Sequence, residues 1–267
     1  MISVLLINLE KSKDRLDFQK QQLEKLQITM HRLAAVQSTD FNTFEYESLA
    51  NGWQRKLRTT EVACFLSHKR AWQFVLETRR PWLILEDDAL LSRKTSNILN
   101  VLTDKAIEID YINLETRHRR KWIDKRVVEL VGEYQLRRLY QDRNGSAAYI
   151  LFPSGAEKLL NRAERSSPAL ADAFISQSYE LNAWQIFPAA AIQLDQCENY
   201  GLDQDFPFAS TITFANNPRP NANNYFDYLR FKLRRIAGQI RMGKRQLEVY
   251  KIAEYIQVPV QNSDYKI

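Results

Sequence analysis

PWLILEDDAL, residues 81–90, is the stretch of this sequence that says most about the fold. A proline precedes four apolar residues, the pattern of a short buried strand, and three carboxylates follow at once: Glu86, Asp87 and Asp88. Adjacent like charges repel one another unless solvent screens them or a cation lies among them. Mg²⁺ and Mn²⁺ prefer oxygen ligands and commonly bind one or two carboxylates together with substrate phosphates. The stretch therefore indicates a strand that ends either in a solvated acidic loop or in a divalent-metal site.

The composition is that of a globular domain with a basic C-terminal segment. The 267 residues are 45% apolar and 26% charged, which fits a folded chain with a sizeable core. The net charge of +6 is concentrated in residues 229–251, while residues 1–228 are neutral overall. The main domain therefore need not bind nucleic acid. Two cysteines without metal-ligand spacing indicate a reducing compartment, and three scattered histidines argue against a His-rich zinc site.

The pattern of apolar runs predicts strands that alternate with helices. Strands are predicted at 2–9, 30–36, 82–85, 111–114, 147–152 and within 184–194, and helices after Ser12, from Thr60 to about Thr78, from 154 to about 164 behind an SGAE capping box, and over 169–180. Residues 38–58 are predicted to be turn-rich. This alternation favours an α/β domain with a mostly parallel sheet, in which ligands bind at the carboxyl ends of the strands. We therefore expect Asn8, Glu86 to Asp88 and Asn113 to Glu115 at one edge.

The C-terminal segment predicts an amphipathic helix. Its apolar residues, spaced three and four apart, form one stripe: Phe226, Leu229, Leu233, Ile236 and Ile240. Most of the Lys and Arg residues of the segment lie off that stripe. The pattern is typical of a helix at the surface of an anionic membrane; the alternative is a helix that packs its stripe against the catalytic domain. We predict a catalytic domain over 1–222 and a basic tail over 223–267. The N-terminus has no signal-peptide pattern and no stretch has membrane-spanning length, so a cytoplasmic location is expected.

Motif absences narrow the chemistry of the acidic strand end. The chain has no GxxxxGK[ST] and no GxGxxG, which argues against a P-loop NTPase and a Rossmann dehydrogenase. The remaining interpretation is a sheet that presents acids to a metal and a diphosphate, as in an enzyme that uses a nucleotide sugar.

Six segments carry a family resemblance. In chain order they are INLEKSKDRL (7–16), EVACFLSHKRAW (61–72), LILEDDALL (83–91), NLET (113–116), NGSAAYILFPSGAEKLL (144–160) and LADAF (170–174). Together they resemble glycosyltransferase family 25, the lipooligosaccharide β-galactosyltransferases of Gram-negative bacteria. The resemblance implies an α/β fold of GT-A type, a Rossmann-like mixed sheet flanked by helices. It also implies a hexosyltransferase with a UDP-sugar donor, Mn²⁺ or Mg²⁺ as cofactor, and inversion at the anomeric carbon.

The resemblance also implies roles for individual residues. EDD resembles the DxD-type motif, with Asp88 as the firmest metal ligand and Glu86 as a second. The donor site would contain Asn8, Leu9, Arg15, Ser67, His68, Glu86, Asp87, Asn113, Glu115, Gly145 and Ser146.

Each role has a plainer alternative. Arg15 would contact the diphosphate or lie on a helix surface, and His68 would be a donor-site or a structural residue. Glu115 would bind a sugar hydroxyl or be a strand-end charge held by Arg117 or Arg119. Gly145 and Ser146 would form a plain turn, and Cys64 is expected to be a small core residue.

An inverting transfer needs a base that takes the proton of the acceptor hydroxyl. Asp172 is the expected base, the alternative being a helix cap, and Asp195 and Glu198 are reserves. The expected function is transfer of galactose from UDP-galactose to a lipooligosaccharide glycan on the cytoplasmic face of the bacterial inner membrane, without nucleic acid. Glucosyl transfer, a non-catalytic glycan-binding protein and a sugar-nucleotide hydrolase are the alternatives.

Overall fold

A computed structural model describes residues 1–103, 108–143, 145–202 and 220–265. Asn144, from the fifth segment quoted above, lies outside these ranges. The strands are β1 (Ser3–Asn8), β2 (Met30–Ala34), β3 (Trp82–Glu86), β4 (Ala89–Leu91), β5 (Tyr111–Asn113), β6 (Arg120–Asp124), β7 (Val128–Val131), β8 (Tyr134–Gln141), β9 (Ala148–Leu151), β10 (Ala183–Phe187), β11 (Ala191–Gln193) and β12 (Ala253–Gln257). The helices are α1 (Lys13–Lys25), α2 (Thr43–Ala50), α3 (Thr59–Thr78), α4 (Thr95–Thr103), α5 (Pro153–Arg165), α6 (Ala171–Ser176) and α7 (Tyr225–Val249), with 3-10 turns at Leu194–Tyr200 and Asn262–Asp264.

A mixed sheet of ten strands forms the centre of the molecule. Its order is β12-β6-β8-β10-β5-β9-β3-β1-β2, with β7 paired to β8, while β4 and β11 form a separate pair. Only β2–β1, β1–β3 and β5–β10 are parallel among the pairs of the large sheet. The expectation of a mostly parallel sheet is therefore wrong, whereas the α/β class with a mixed sheet flanked by helices is confirmed.

The direction of β9 decides which side chains meet at the edge of the sheet. This strand lies between β3 and β5 and is antiparallel to both, so β3 and β5 run in the same direction. β1 is parallel to β3. The carboxyl ends of β1, β3 and β5 therefore lie at one edge, as predicted for Asn8, Glu86 and Asn113.

Both faces of the central strands are buried, which explains their unbroken apolar sequences. On one face Val4, Leu6 and Leu85 belong to a core cluster shared with α4. On the other face Leu5 and Ile84 pack in a cluster shared with α3 and α5. The two helical layers thus fix the sheet from opposite sides and leave its strand ends accessible.

Four helix predictions need correction. The helix predicted over 169–180 is limited to α6, Ala171–Ser176. Residues 43–50 form a helix inside the stretch predicted to be turn-rich, with Asn42 and Glu45 in a reciprocal capping box. α3 begins at Thr59 with Arg58 as its N-cap, not at Thr60. The predicted SGAE box does not form, because α5 begins at Pro153 and Ser154 Oγ instead donates to Asp110 Oδ1 at 2.6 Å.

The C-terminal segment combines a long helix with a returning strand. α7 is capped by Asn224, which accepts a hydrogen bond from Asp227 N at 2.9 Å. After α7 the chain returns to the sheet, where β12 pairs with β6. The division into 1–222 and 223–267 stays a prediction, although part of the second range belongs to the sheet. Across the described ranges, none of the helices combines the length and hydrophobicity that crossing a membrane requires.

Candidate active site

Asp87 is held by Asn8, the last residue of β1, and by Arg15 of α1. Asn8 Nδ2 donates to Asp87 Oδ2 at 2.8 Å and Arg15 Nη1 donates to Asp87 Oδ1 at 2.9 Å. Arg15 is 8% exposed, so the alternative of a surface helix residue is wrong. Arg32 Nε donates to Asn8 Oδ1 at 3.0 Å, which fixes the amide in turn. Asp87 is thereby a carboxylate that orients Arg15 at the edge of the sheet.

Two glutamines of α1 hold the backbone after the acidic cluster. Gln19 Nε2 donates to Ala89 O at 2.8 Å, and Gln22 Oε1 accepts from Leu91 N at 2.7 Å. Gln19 is fully buried. Neither contact could be predicted from the sequence, because buried glutamines do not contribute to a hydrophobic periodicity.

Glu86 ends β3 inside a chain of hydrogen bonds. Ser146 Oγ donates to Glu86 Oε1 at 2.8 Å, and His68 Nε2 lies 3.1 Å from the same oxygen. His68 Nδ1 lies 2.9 Å from Tyr149 Oη, which also accepts from Trp72 Nε1. Burial opposes ionisation of Glu86, but the hydrogen bonds from His68 and Ser146 hold its pKa below the usual value. His68 is thus both structural and directly in contact with the acidic cluster.

Asp88 is the acid of the cluster with the fewest compensating partners. Gln193 Nε2 donates to its Oδ1 at 3.4 Å, and Arg15 Nη1 lies 3.9 Å from its Oδ2. Burial and the negative charges of Glu86 and Asp87 raise the pKa of Asp88 to about 7. A divalent cation would offset this repulsion, and an oxygen donor set suits Mn²⁺ or Mg²⁺. The residues therefore fit the metal that the sequence resemblance implies.

A second donor set adjoins the first. One ligand atom each from Cys64, His68 and Glu86 lies within 4.8 Å of the others, a mixture of sulfur, nitrogen and oxygen. Cys64 and His68 are one turn apart on α3 and face the same way. Cys64 is exposed rather than a core residue, which corrects the expectation from the sequence. Thiolate and imidazole ligands suit Zn²⁺ better than Mn²⁺.

Glu115 is a buried acid behind this edge. Its Oε2 accepts from Ala147 N at 2.6 Å, whereas its Oε1 has no hydrogen-bond partner among the residues that the structure describes. Burial and the charge of Glu86 raise the pKa of Glu115 to about 8, so the carboxyl is mostly protonated at neutral pH. Arg117 makes its direct contacts with Gln193 and Asp195, and only its charge, which lowers the pKa of Glu115, acts on this carboxyl.

The Gly145–Ser146 turn closes over β5. Gly145 has φ +112°, a conformation that favours glycine, and a Cβ there would lie 3.0 Å from Asn113 Nδ2 and 3.4 Å from Glu115. Asn113 Nδ2 also donates to Asp142 Oδ2 at 3.0 Å. Lys121 Nζ lies 2.7 Å from the same Asp142 carboxylate, a buried ion pair that sequence reasoning missed. The turn therefore packs closely on Asn113 and Glu115, and its role in donor binding stays a prediction.

Aromatic packing holds α6, the helix that carries Asp172, against α3. Phe174, two residues on in α6, stacks on Trp72 of α3 and meets Phe65 edge to face, with ring centroids 5.6 and 5.0 Å apart. Leu170 is the N-cap of α6, so Asp172 is not the helix cap. Burial and the charge of Glu86 raise the pKa of Asp172, as befits a proton acceptor. The two reserve candidates for the base, Asp195 and Glu198, are both exposed, and Asp195 is paired with Arg117.

An open pocket lies at the edge of the sheet where β1 and β3 end. Its walls include Leu9, Arg15, Ser67, His68, Glu86 and Asp87. Ser67 Oγ accepts from Val36 N and donates to Ala63 O, both at 2.8 Å, so it ties α3 to the segment after β2. Asn113, Glu115, Gly145 and Ser146 lie behind the pocket at the same edge. The donor-binding roles of all these residues stay predictions.

The sequence profile described as "Glycosyltransferase family 25 (LPS biosynthesis protein)" matches residues 1–175. The chain belongs to glycosyltransferase family 25. The site residues described above that lie between β1 and Phe174 all fall within this matched range. The protein is therefore a glycosyltransferase, an enzyme that needs a nucleotide-sugar donor and a glycan acceptor.

Similarities of this family 25 member to solved structures are distant. A197 from STIV is 11% identical with a TM-score of 0.38, over 72% of this chain and 83% of that one. A glycosyltransferase involved in the glycosylation of the major capsid of PBCV-1 is 8% identical with a TM-score of 0.37, over 72% and 92%. At these scores neither similarity carries weight for fold or function.

Proposed function

We propose that this family 25 enzyme transfers galactose from UDP-galactose to a sugar hydroxyl of lipooligosaccharide, with inversion and with Mn²⁺ as cofactor. The observation that carries the proposal is that Asp88, whose pKa is raised, lies 3.9 Å from the guanidinium of Arg15, and that Arg15 with its partner Asp87 lines an open pocket. This edge offers an acid for a cation and a guanidinium for a diphosphate side by side.

Asp88, assisted by Glu86, would hold the metal. A bound divalent cation supplies a Lewis acid that neutralises charge on the departing diphosphate. Arg15 lines the same pocket, and its guanidinium is suited to phosphate oxygens. Because Asp87 and Asn8 fix its position in advance, little side-chain freedom is lost when a diphosphate binds.

Asp172 would act as the base. In the transfer, the acceptor oxygen forms a bond to the anomeric carbon while the bond from that carbon to the diphosphate oxygen breaks. The acceptor proton passes to the Asp172 carboxylate, and the electron pair of the broken bond leaves with UDP. The raised pKa of Asp172 makes it a better proton acceptor than a solvated aspartate. His68 and Ser146 hold Glu86 in place by hydrogen bonds that lower its pKa.

The test is a panel of UDP-galactose, UDP-glucose and UDP-N-acetylhexosamines with Mn²⁺ or EDTA. Released UDP is measured with and without lactosyl-type and glucosyl acceptors, for the wild type, Asp88→Asn and the control Asp14→Asn, an exposed acid of α1. We expect acceptor-dependent UDP release from UDP-galactose that EDTA and Asp88→Asn abolish and Asp14→Asn preserves. Preference for UDP-glucose would contradict the donor assignment. Release that is independent of acceptor would indicate a hydrolase, and no release from any donor would overturn the enzymatic proposal.

A further inference from the structure

α7 is attached to the domain by one face. Phe231 and Val249 are its buried residues. Arg234 Nη1 donates to Asn51 O at 2.6 Å, and a Cβ added at Gly238 would lie 2.7 Å from Gln54 Nε2. Farther along, Gln246 Nε2 donates to Gln141 Oε1 at 3.0 Å. These attachments share one side of the helix, at 3.6 residues per turn.

The apolar stripe faces the other way. Its members are all exposed, between 43% and 74% of their surface: Phe226, Leu229, Leu233, Ile236, Ile240 and Leu247. At 100° per residue their mean direction is roughly opposite to that of Phe231 and Val249. The alternative that the stripe packs against the catalytic domain is therefore wrong for the described residues. These six large apolar side chains extend along nearly the whole of the 25-residue helix and form an exposed patch of the kind that marks an interaction site.

Charge indicates the partner. α7 holds seven Lys or Arg and two acidic residues. Lys232 lies on one flank of the stripe and Arg230, Arg241 and Lys244 on the other, all exposed. Two copies packed stripe against stripe would bring two strongly basic helices together, which is unfavourable. An anionic lipid surface complements both features, because acyl chains accept the stripe and headgroups pair with the flanks.

We infer that α7 is a membrane-docking helix that lies in the plane of an anionic bilayer surface, with its stripe in the headgroup–acyl boundary. The domain sits on the opposite face of the helix, so docking of the stripe does not compete with the contacts between α7 and the domain. The C-terminal half of the helix reaches toward that site. Arg245 lies over the rings of Tyr140 and Tyr179 and lines a small cavity together with Asn113, Asp142 and Gly145. A glycan on a lipid anchor would thus meet the enzyme beside the candidate active site.

Flotation with vesicles tests this inference without any measurement of transfer. The full chain is mixed with phosphatidylcholine vesicles that contain or lack about a third phosphatidylglycerol, at low and high salt. Leu233→Ser/Ile240→Ser removes part of the stripe, and Phe44→Ser/Val127→Ser, two exposed apolar residues elsewhere, is its control. Lys232→Gln/Arg241→Gln/Lys244→Gln removes flank charges, with Lys25→Gln/Arg70→Gln/Arg165→Gln as its control. Circular dichroism checks that every variant is folded.

We expect wild type and both controls to bind anionic vesicles, with weaker binding at high salt. Each α7 variant should bind roughly tenfold more weakly or worse, since apolar area and basic residues both contribute. Equal binding by α7 variants and controls would overturn the inference, as would an absence of vesicle binding by the wild type. A wild-type dimer that Leu233→Ser/Ile240→Ser converts to a monomer in analytical ultracentrifugation, without vesicle binding, would assign the stripe to a second copy instead.

Discussion

Replacing Glu115 with Gln should stabilise the protein at neutral and alkaline pH and change little at pH 5. Glu115 is 1% exposed, and burial with the charge of Glu86 raises its pKa from 4.5 to about 8. At neutral pH the unfolded chain has therefore lost the proton of this carboxyl, whereas the folded protein carries it. Folding must take up that proton. Gln has nearly the same shape and is neutral at every pH, so it avoids this requirement.

The sign and size follow from linkage. Because the folded pKa lies above the unfolded one, the contribution of this group to stability is fully present below about pH 4.5 and is lost as pH rises through 8. At about 1.4 kcal/mol per pH unit, the loss by pH 7 is on the order of 3 kcal/mol. That is a large part of the free energy of unfolding of an ordinary domain, about 5–15 kcal/mol.

Urea unfolding followed by tryptophan fluorescence at pH 5, 6, 7 and 8, with EDTA present, measures this difference. The free energy of unfolding of the wild type should fall relative to Glu115→Gln by about 2–3 kcal/mol between pH 5 and pH 7. Glu164→Gln, which changes an exposed glutamate, should follow the wild-type curve. Parallel curves for wild type and Glu115→Gln would refute the reasoning that Glu115 is held protonated.

Three further predictions concern the site. Asp172→Asn should lower kcat by about 10²-fold or more with little change in KM, because it removes the proton acceptor; an unchanged kcat in steady-state kinetics would exclude this base. Phe174→Ala should reduce the free energy of unfolding by about 3–5 kcal/mol in urea titrations, since its ring packs against two aromatic side chains of α3; a loss below about 1 kcal/mol would show that the packing does not fix α6. Zn²⁺ should inhibit transfer through Cys64, His68 and Glu86, and Cys64→Ser should relieve that inhibition; equal inhibition of both proteins would place the zinc elsewhere.

Sequence patterns were sufficient for the strands that build the edge of the site. The apolar runs before Asn8, Glu86 and Asn113 each formed a strand, and their polar ends meet as expected. The direction of β9 could not be read from its apolar run, because strand pairing depends on contacts far apart in the chain. The same limit applies to β12, which joins the sheet only after the whole of α7.

The supporting hydrogen bonds were beyond prediction for a different reason. Gln19, Gln22, Lys121 and Asp142 are polar side chains whose partners lie on distant strands and loops, so no local spacing identifies them. Cys64 was misjudged because one turn of helix α3 points past the core into the pocket. The direction of the α7 stripe likewise required tertiary structure, since its periodicity is the same whether it packs inward or faces outward.

Binding of a divalent cation together with a nucleotide diphosphate at the end of β3 is the central claim. Crystals soaked with Mn²⁺ and UDP test it most directly, by the anomalous scattering of manganese. The account predicts a manganese peak in contact with the Asp88 carboxylate and the UDP diphosphate, with Arg15 beside the phosphates. UDP bound elsewhere, or a manganese peak away from Asp88 while UDP occupies the pocket, would contradict it.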